Sequence, residues 1–251
     1  HAACFAAGLA AAGYIPIFAV YSTFLQRGYD QILHDNALQN LHSIFALDRA
    51  GIVGRDGETH QGIYDLSYLS HIPGITVMAP SSGRELEKML EFAVYNCQDP
   101  VAVRYPKGAA AEDLGGDVPL ELGRGRLIKD GTDAVIVAIG SSVYDAAEAA
   151  EILEKKNISA AVIDVRFLKP LDRELIKKYI GKCKVVCVAE ENVEIGGLLS
   201  EISKISNKPI INASLPDKPI EQGSVNELKE KYGISGAKIA EKIEIALKTE
   251  E

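Results

Sequence analysis

The hydrophobic positions of the first 105 residues alternate between helical spacing and short runs that are apolar throughout. Helical spacing predicts helices over residues 2–12 and 23–40, and over a stretch that Ser81 and Ser82 can cap. Continuous apolar runs predict buried strands over 15–21, 43–47 and 101–104. Because helices and strands alternate along the chain, we expect a parallel sheet that helices cover on both faces.

The rest of the chain repeats this alternation after a segment without apolar periodicity, residues 106–121. That segment is rich in glycine, proline and small residues, which predicts a linker. Beyond it, strands are predicted over 134–139, 160–165 and 185–189, and helices over 143–156, 172–180, 197–206 and 236–248. The predicted fold class is therefore α/β, with two open sheets flanked by helices, in a first domain over 1–105 and a second domain over 122–251.

The composition indicates a packed globular protein and argues against several other classes. The chain has 251 residues, of which 47% are hydrophobic and 25% charged. Acidic residues outnumber basic ones by 35 to 27, a balance that does not favour binding to nucleic acid. No apolar run reaches the roughly 18 residues that a membrane-spanning helix needs. The four cysteines form no CxxC pair, so we expect a reducing compartment, the cytoplasm or alternatively a plastid.

Charged residues are distributed unevenly along the chain. The first 105 residues contain 6 basic and 10 acidic side chains, whereas the remaining 146 contain 21 and 25. Because charged side chains are rarely buried without partners, the charge-poor first part is expected to bury more of its surface, in part against a partner. The chain also begins at His1 within an alanine-rich helical pattern, which predicts that further polypeptide precedes it.

The densest group of chemically active residues is a glycine-rich loop over residues 48–62, with the sequence DRAGIVGRDGETHQG. It follows directly on a predicted strand, and ligands of open parallel sheets bind beyond the carboxyl ends of the strands. Glycine at four positions allows backbone N–H groups to approach an anion. The loop matches neither a Walker motif nor a GxGxxG fingerprint. A ligand-binding loop is favoured over a solvated surface loop.

Charged residues near this loop suggest an anion site with acid–base chemistry. Arg49 and Arg104 each end a predicted strand, and two planar guanidinium groups at one sheet edge suit a phosphate or carboxylate. Structural ion pairs are an equally good interpretation of both arginines. His60 is the only histidine of the loop, and Asp56 lies four residues before it. Since a carboxylate can orient an imidazole, this pair is a candidate for proton transfer.

Two further segments lie next to predicted strands and leave alternatives open. Tyr21 and Phe24 flank the start of a helix, where an aromatic ring can hold a flat ligand, but a core position is the commoner outcome. The residues 190–192, Glu-Glu-Asn, follow a strand and precede two glycines that open a helix. A helix start is a better interpretation of that segment than an anion site or an interface.

Four segments resemble the 1-deoxy-D-xylulose-5-phosphate synthases, a family of thiamine-diphosphate enzymes related to transketolase. They are YSTFLQRGYDQILHD at 21–35, DRAGIVGRDGETHQGIYDLSYL at 48–69, AVRYPKG at 102–108 and LPD at 215–217. The resemblance implies that 1–105 is most of a pyrimidine-binding domain and 122–251 a C-terminal domain, together the C-terminal two-thirds of such an enzyme. It further implies an upstream domain with the magnesium and diphosphate ligands, and an activating glutamate just before His1.

The resemblance also implies a set of cofactor contacts in this chain. Phe24 would stack on the aminopyrimidine of thiamine diphosphate, which moves it from a core position to a cofactor contact. Tyr21 would lie beside the cofactor and take part in catalysis, and Arg27 would be a further cofactor-binding residue. No metal ligand is implied in this chain, because the magnesium site is expected in the upstream domain.

The reaction that the resemblance implies is the decarboxylation of pyruvate and its ligation to glyceraldehyde 3-phosphate, the first step of non-mevalonate isoprenoid biosynthesis. Arg49 and Arg104 would bind the phosphate, and His60 with Asp56 would move protons. A homodimer is expected, with a second domain that is structural and forms the dimer. Two alternatives stay open: the C-terminal section of a split transketolase that uses ketose donors, and a fragment without catalytic activity.

Overall fold

The computed structural model describes residues 1–109 and 111–250 and arranges them around two five-stranded sheets. The strands are β1 (Ile17–Tyr21), β2 (Ile44–Asp48), β3 (Thr76–Met78), β4 (Val101–Arg104), β5 (Arg126–Lys129), β6 (Ala134–Ala138), β7 (Ala160–Asp164), β8 (Phe167–Lys169), β9 (Val185–Val193) and β10 (Ile210–Leu215). The helices are α1 (Ala2–Ala11), α2 (Ser22–Leu25), α3 (Tyr29–Gln31), α4 (Asp65–Ser70), α5 (Gly83–Tyr95), α6 (Ser142–Glu154), α7 (Arg173–Lys182), α8 (Leu198–Ser203), α9 (Val225–Tyr232) and α10 (Gly236–Glu250).

Each sheet has four parallel strands and one antiparallel strand at an edge. The first sheet has the order β1-β2-β4-β3-β8, and β8 pairs antiparallel with β3. The second sheet has the order β10-β9-β6-β7-β5, and β5 pairs antiparallel with β7. The predicted α/β class, with two open sheets flanked by helices, is confirmed. The expectation of a parallel sheet was wrong only at one edge of each sheet, where β8 and β5 are antiparallel.

The central strands form where the sequence is apolar throughout, because a parallel strand buried on both faces needs no polar side. Every residue of β4, β6 and β7 is buried. The edge strand β8 lies beyond the predicted linker in the sequence, yet it completes the first sheet. The two parts of the chain therefore share a sheet as well as a core.

That shared core contains apolar side chains from both parts of the chain. Leu66 and Val77 from the first part lie in the same buried cluster as Ile163 and Val188 from the second. Each fully buried side chain of this size contributes about 1.5–3 kcal/mol relative to leaving it exposed. The relative position of the two sheets is consequently fixed by apolar packing.

The helix predicted over 23–40 is interrupted in the structure. It consists of α2, a 3₁₀ turn over Gln26–Gly28, α3 and a π-helical segment over Ile32–Ala37. By contrast, α5 is continuous, and the Ser82 hydroxyl caps it by accepting a hydrogen bond from the Glu85 N–H at 3.1 Å. None of the helices in the described part of the chain is long and apolar enough to cross a bilayer.

Buried ion pairs tie the start of α5 to the second sheet. The Nε atom of Arg166 lies 2.9 Å from a Glu85 carboxylate oxygen. Arg126, on β5, lies 3.5 Å from Glu85 through Nη1 and 3.1 Å from Asp164 through Nε. All four side chains are buried, and burial raises the pKa of Asp164. Since an uncompensated buried charge is costly, these pairs hold α5 and the second sheet in one arrangement.

Candidate functional site

The glycine-rich loop begins at the carboxyl end of β2 and is closed at its base by two backbone hydrogen bonds. The Gly51 N–H donates to the Gly62 carbonyl at 2.7 Å, and the Gly62 N–H donates back at 2.9 Å. A Cβ atom on Gly62 would lie 2.2 Å from the Arg49 carbonyl oxygen, so no other residue fits there. Between these ends, 3₁₀ turns over Gly54–Asp56 and Glu58–His60 present the charged side chains.

The aromatic residues Tyr21 and Phe24 form a stack next to this loop. Their ring centroids are 5.4 Å apart with an interplanar angle of 16°, and the His60 ring meets Phe24 edge-on at 5.4 Å. The Phe24 side chain is 46% exposed, which is not a core position. An exposed aromatic face with a polar ring beside it suits a flat heterocycle. The cofactor role assigned to Phe24 and Tyr21 stays a prediction.

Arg49 and Asp56 lie at the same site as the aromatic stack. The guanidinium carbon of Arg49 is 3.9 Å from the Tyr21 ring centroid, and its Nε atom is 3.7 Å from an Asp56 oxygen. The Arg49 backbone is left-handed, with φ of +58°. A non-glycine residue in this conformation is strained, and such strain clusters at functional sites. The structure therefore brings together Tyr21, Phe24, Arg49, Asp56 and His60.

Lys107 is a member of this group that the sequence analysis missed. Its Nζ atom lies 2.6 Å from one Asp56 oxygen and 2.7 Å from the other. The hydrogen bond from Lys107 holds the pKa of Asp56 below its usual value. The signal was present in the segment AVRYPKG, where a second cation follows the end of β4 by three residues.

The predicted pairing of Asp56 with His60 needs correction. The Asp56 carboxylate is bonded to Lys107, whereas the His60 Nδ1 atom lies 3.1 Å from the Thr59 hydroxyl. The Thr59 carbonyl in turn accepts a hydrogen bond from the Thr23 hydroxyl at 2.9 Å. The imidazole is thus positioned by Thr59 and by its T-shaped contact with the Phe24 ring, whereas the Asp56 carboxylate is bonded to Lys107.

Arg104 is not part of this cluster, and the predicted pair of phosphate-binding arginines needs correction. Its side chain is buried, and its Nε atom donates to Asp65 at 2.9 Å. Its Nη2 atom donates to the carbonyls of Gly62 and Glu191, both at 3.3 Å. Arg104 therefore forms a structural ion pair with Asp65, which was the alternative interpretation of this arginine, and its Nη2 donors are taken by two carbonyls.

Arg27 is exposed on the 3₁₀ turn that follows α2. Neither a hydrogen bond nor an ion pair of its side chain is present in the part of the chain that the structure describes. Its role as a cofactor-binding residue therefore stays a prediction.

A cavity of about 620 Å³ lies beside the loop, between the two parts of the chain. Its polar lining includes Asp48, Arg49, Lys107, Ser82, Ser141, Tyr144, Glu191 and Lys229. Three cations and two carboxylates thus face a volume large enough for a small phosphorylated molecule. No group of three metal-ligating side chains is found within residues 1–109 and 111–250.

Residues 190–192 lie inside β9 rather than after it, which corrects the predicted end of that strand. Glu190 accepts backbone N–H bonds from Leu198 at 2.8 Å and Leu199 at 2.9 Å, at the start of α8. Burial raises the pKa of Glu190 to about 7. Glu191 instead accepts a hydrogen bond from the Ile52 N–H of the glycine-rich loop, a contact that the sequence did not predict.

Comparison with known domain families agrees with this architecture. Residues 1–112 match the family described as transketolase, pyrimidine binding domain, and residues 123–239 match transketolase, C-terminal domain. The chain belongs to the transketolase family.

Among individual relatives, the chain is similar to 1-deoxy-D-xylulose-5-phosphate synthases. It is 47% identical to that of Chlorobium luteolum over 97% of this chain, and 48% identical to that of Dictyoglomus thermophilum over the same share. The chain spans about 40% of the length of each, less than the two-thirds expected from the sequence.

A solved structure described as "Split gene transketolase, inactive beta4 tetramer" has a similar fold. It has a TM-score of 0.89 and 30% identity, and the match covers 97% of this chain and 80% of that one. A transketolase from Campylobacter jejuni, at 23% identity and a TM-score of 0.77, shares the fold.

Proposed function

We propose that this chain supplies the pyrimidine-binding and C-terminal domains of a 1-deoxy-D-xylulose-5-phosphate synthase. The enzyme would release carbon dioxide from pyruvate and join the remaining two carbons to the aldehyde of glyceraldehyde 3-phosphate, feeding isoprenoid biosynthesis. One observation supports this proposal most strongly. The stacked rings of Tyr21 and Phe24 contact two other members of the cluster, Phe24 with His60 and Tyr21 with Arg49. An aromatic platform for a flat cofactor therefore adjoins a cationic group for a phosphate.

The residues present fit thiamine diphosphate. The exposed ring of Phe24 offers a platform for the aminopyrimidine, and Tyr21 stacks on it at 5.4 Å. Aromatic pairs of this kind contribute about 0.5–1.5 kcal/mol beyond area burial. When bound, this cofactor supplies the carbanion chemistry that side chains cannot provide. Magnesium and the diphosphate would be held by polypeptide outside this chain.

Arg49 and Lys107 are proposed to bind the phosphate of the aldehyde substrate. Both line the cavity; in the structure Arg49 pairs with Asp48 at 2.5 Å and lies 3.7 Å from Asp56, whereas Lys107 pairs with Asp56 at 2.6 Å. A phosphate can take the place of these carboxylates at Arg49 and Lys107, since it offers more acceptor oxygens to a planar guanidinium and an ammonium. His60, which makes a T-shaped contact with Phe24, would hydrogen-bond the substrate oxygens and carry a proton.

Replacing Arg49 by Ala or Lys107 by Met should mainly weaken binding of glyceraldehyde 3-phosphate in the complete enzyme. Each lost charge-assisted contact costs about 1.5–3 kcal/mol, roughly a ten- to hundredfold rise in KM for this aldehyde. Steady-state kinetics with glyceraldehyde 3-phosphate and with unphosphorylated glyceraldehyde measures this difference.

The control for that experiment is Lys129→Met, which removes a half-buried lysine of β5 that pairs with Glu154 of α6. Its KM should stay at the wild-type value for both aldehydes. If Arg49→Ala and Lys107→Met raised KM equally for the phosphorylated and unphosphorylated aldehydes, the assignment of a phosphate site would be rejected.

A homodimer is also proposed. Several large apolar side chains of the first part are exposed: Phe5, Tyr14, Ile15 and Ile17. Several exposed large apolar side chains in the charge-poor part of a chain favour an interface there. The solved split-gene transketolase is described as a tetramer, which supports assembly without fixing its number of subunits.

The second candidate function is the C-terminal section of a split transketolase that uses a ketose phosphate donor. It is favoured by the similarity to the split-gene structure, which the chain covers over 80% of its length. The greater sequence identity to the deoxyxylulose-phosphate synthases, 47% against 30%, favours the first candidate.

A further inference from the structure

Residues of the second part of the chain contact the glycine-rich loop. Residues 221–223 of that part contact the loop through polar groups: the Gln61 side-chain amide donates to the Glu221 carbonyl at 3.1 Å, and Gln222 donates to the Arg55 carbonyl at 3.1 Å. A Cβ atom on Gly54 would lie 3.2 Å from the Gly223 carbonyl oxygen. The loop is therefore packed against a second surface and is not free in solvent.

Glu191 makes the most buried of these contacts. Its side chain is 3% exposed, and its Oε2 atom accepts the Ile52 N–H at 2.9 Å. A Cβ atom on Gly51 would lie 2.5 Å from the same oxygen, so only glycine at this position lets the Glu191 carboxylate approach the loop backbone. The Glu191 carboxylate thus binds the loop backbone three residues beyond Arg49.

The other carboxylate oxygen of Glu191 is fixed by the second part of the chain. Its Oε1 atom accepts a hydrogen bond from the Ser141 hydroxyl at 2.8 Å and lies 2.8 Å from the Lys229 Nζ atom. Lys229 also pairs with Asp145 at 2.8 Å. Burial alone would raise the pKa of Glu191, but Lys229 and these hydrogen bonds hold it below its ordinary value. Glu191 therefore remains ionised and anchored at both oxygens.

We propose that Glu191 is a positioning residue of the active site, through which the second domain sets the conformation of the glycine-rich loop. It acts through the Ile52 N–H, and this contact fixes the stretch that begins with Arg49 and leads to His60. The second domain would then have a part in catalysis beyond structure and assembly. The catalytic consequence rests on the proposed function, whereas the effect on the loop does not.

Amide hydrogen exchange in the 251-residue chain tests the effect on the loop without any assay of activity. In Glu191→Gln the charge-assisted bond to Ile52 becomes a neutral one, and we expect exchange of the Ile52 amide to be roughly tenfold faster. In Glu191→Ala the acceptor is lost, and exchange should be faster still. Should the Ala variant fail to fold, the Gln variant, which keeps the size of the side chain, gives the answer.

The matched control is Glu190→Gln, at the neighbouring position of β9. Glu190 is equally buried, but it binds the start of α8 and not the loop. Its variant should show faster exchange at Leu198 and Leu199 and wild-type exchange at Ile52. Equal rates at Ile52 in the Glu190→Gln and Glu191→Gln variants would overturn the proposal.

Kinetics of the complete enzyme tests the catalytic consequence. Glu191→Gln should raise KM for the phosphorylated aldehyde several-fold more than KM for the unphosphorylated one, whereas Glu190→Gln should leave this ratio unchanged. Faster loop exchange with an unchanged ratio would refute the catalytic part of the proposal. Absence of the reaction in the wild-type enzyme would refute the proposed function, and the exchange result would still decide the role of Glu191 in the loop.

Discussion

Replacing His60 by Ala should lower kcat of the complete enzyme by a factor of about 10²–10³, the usual effect of removing a general acid or base. The imidazole is partly exposed and makes a T-shaped contact with Phe24, where substrate bound next to a stacked cofactor would be within reach. Its Nδ1 atom faces Thr59, so the Nε2 atom is the one available to a substrate oxygen. Little of the protein packs on this ring, so the free energy of unfolding should change by less than about 1 kcal/mol.

His34→Ala is the matched control for this measurement. His34 is an exposed histidine that pairs with Asp30 four residues away, and the variant should keep the wild-type kcat. Single-turnover and steady-state rates should fall together in His60→Ala, because the step affected is chemical. A His60→Ala enzyme with the kcat of the His34→Ala control would reduce His60 to a structural neighbour of Phe24.

Replacing Arg104 by Met should lower the free energy of unfolding by about 3–5 kcal/mol, because it leaves a buried charge without its partner. Asp65 is fully buried, and Arg104 is its ion-pair partner at 2.9 Å. The same substitution removes the donors to the Gly62 and Glu191 carbonyls at the base of the loop. Urea unfolding followed by circular dichroism measures the loss.

Two further variants distinguish this explanation from a phosphate-binding role of Arg104. The double variant Arg104→Met with Asp65→Asn should recover part of the lost stability, because the unpaired charge is gone. Arg124→Met removes an exposed arginine paired with Glu174 and should cost less than about 1 kcal/mol. Wild-type stability of Arg104→Met with a large rise in KM for the phosphorylated aldehyde would restore the phosphate role.

The sequence predicted those strands that form from a continuous run of apolar residues. Continuous apolar runs predicted β4 within its observed bounds and the central strands β6 and β7 to within a residue. Four strands were not predicted: β3, β10 and the antiparallel edge strands β5 and β8. The two antiparallel strands form through pairing with neighbours and not through an apolar run of their own. Likewise, nothing in the spacing over 23–40 indicated that the helix would break into 3₁₀ and π turns.

The sequence predicted several of the residues that form the candidate site but not which of them pair with one another. The glycine-rich loop concentrated Arg49, Asp56 and His60, which the structure brings together. Lys107 and not Arg104 is the second cation of the cluster, because Arg104 is paired with the buried Asp65, which lies 39 residues away in the sequence. Glu191 was missed for the same reason, since its partner Ile52 lies 139 residues away.

The most direct test of the proposed function measures products of the complete enzyme with thiamine diphosphate and magnesium supplied. Pyruvate and glyceraldehyde 3-phosphate should yield carbon dioxide and a 1-deoxyketose phosphate in equal amounts, and both should fall with Arg49→Ala. If no carbon dioxide were released from pyruvate while a ketose phosphate donor transferred its two-carbon unit to the aldehyde, the synthase assignment would be contradicted in favour of a transketolase.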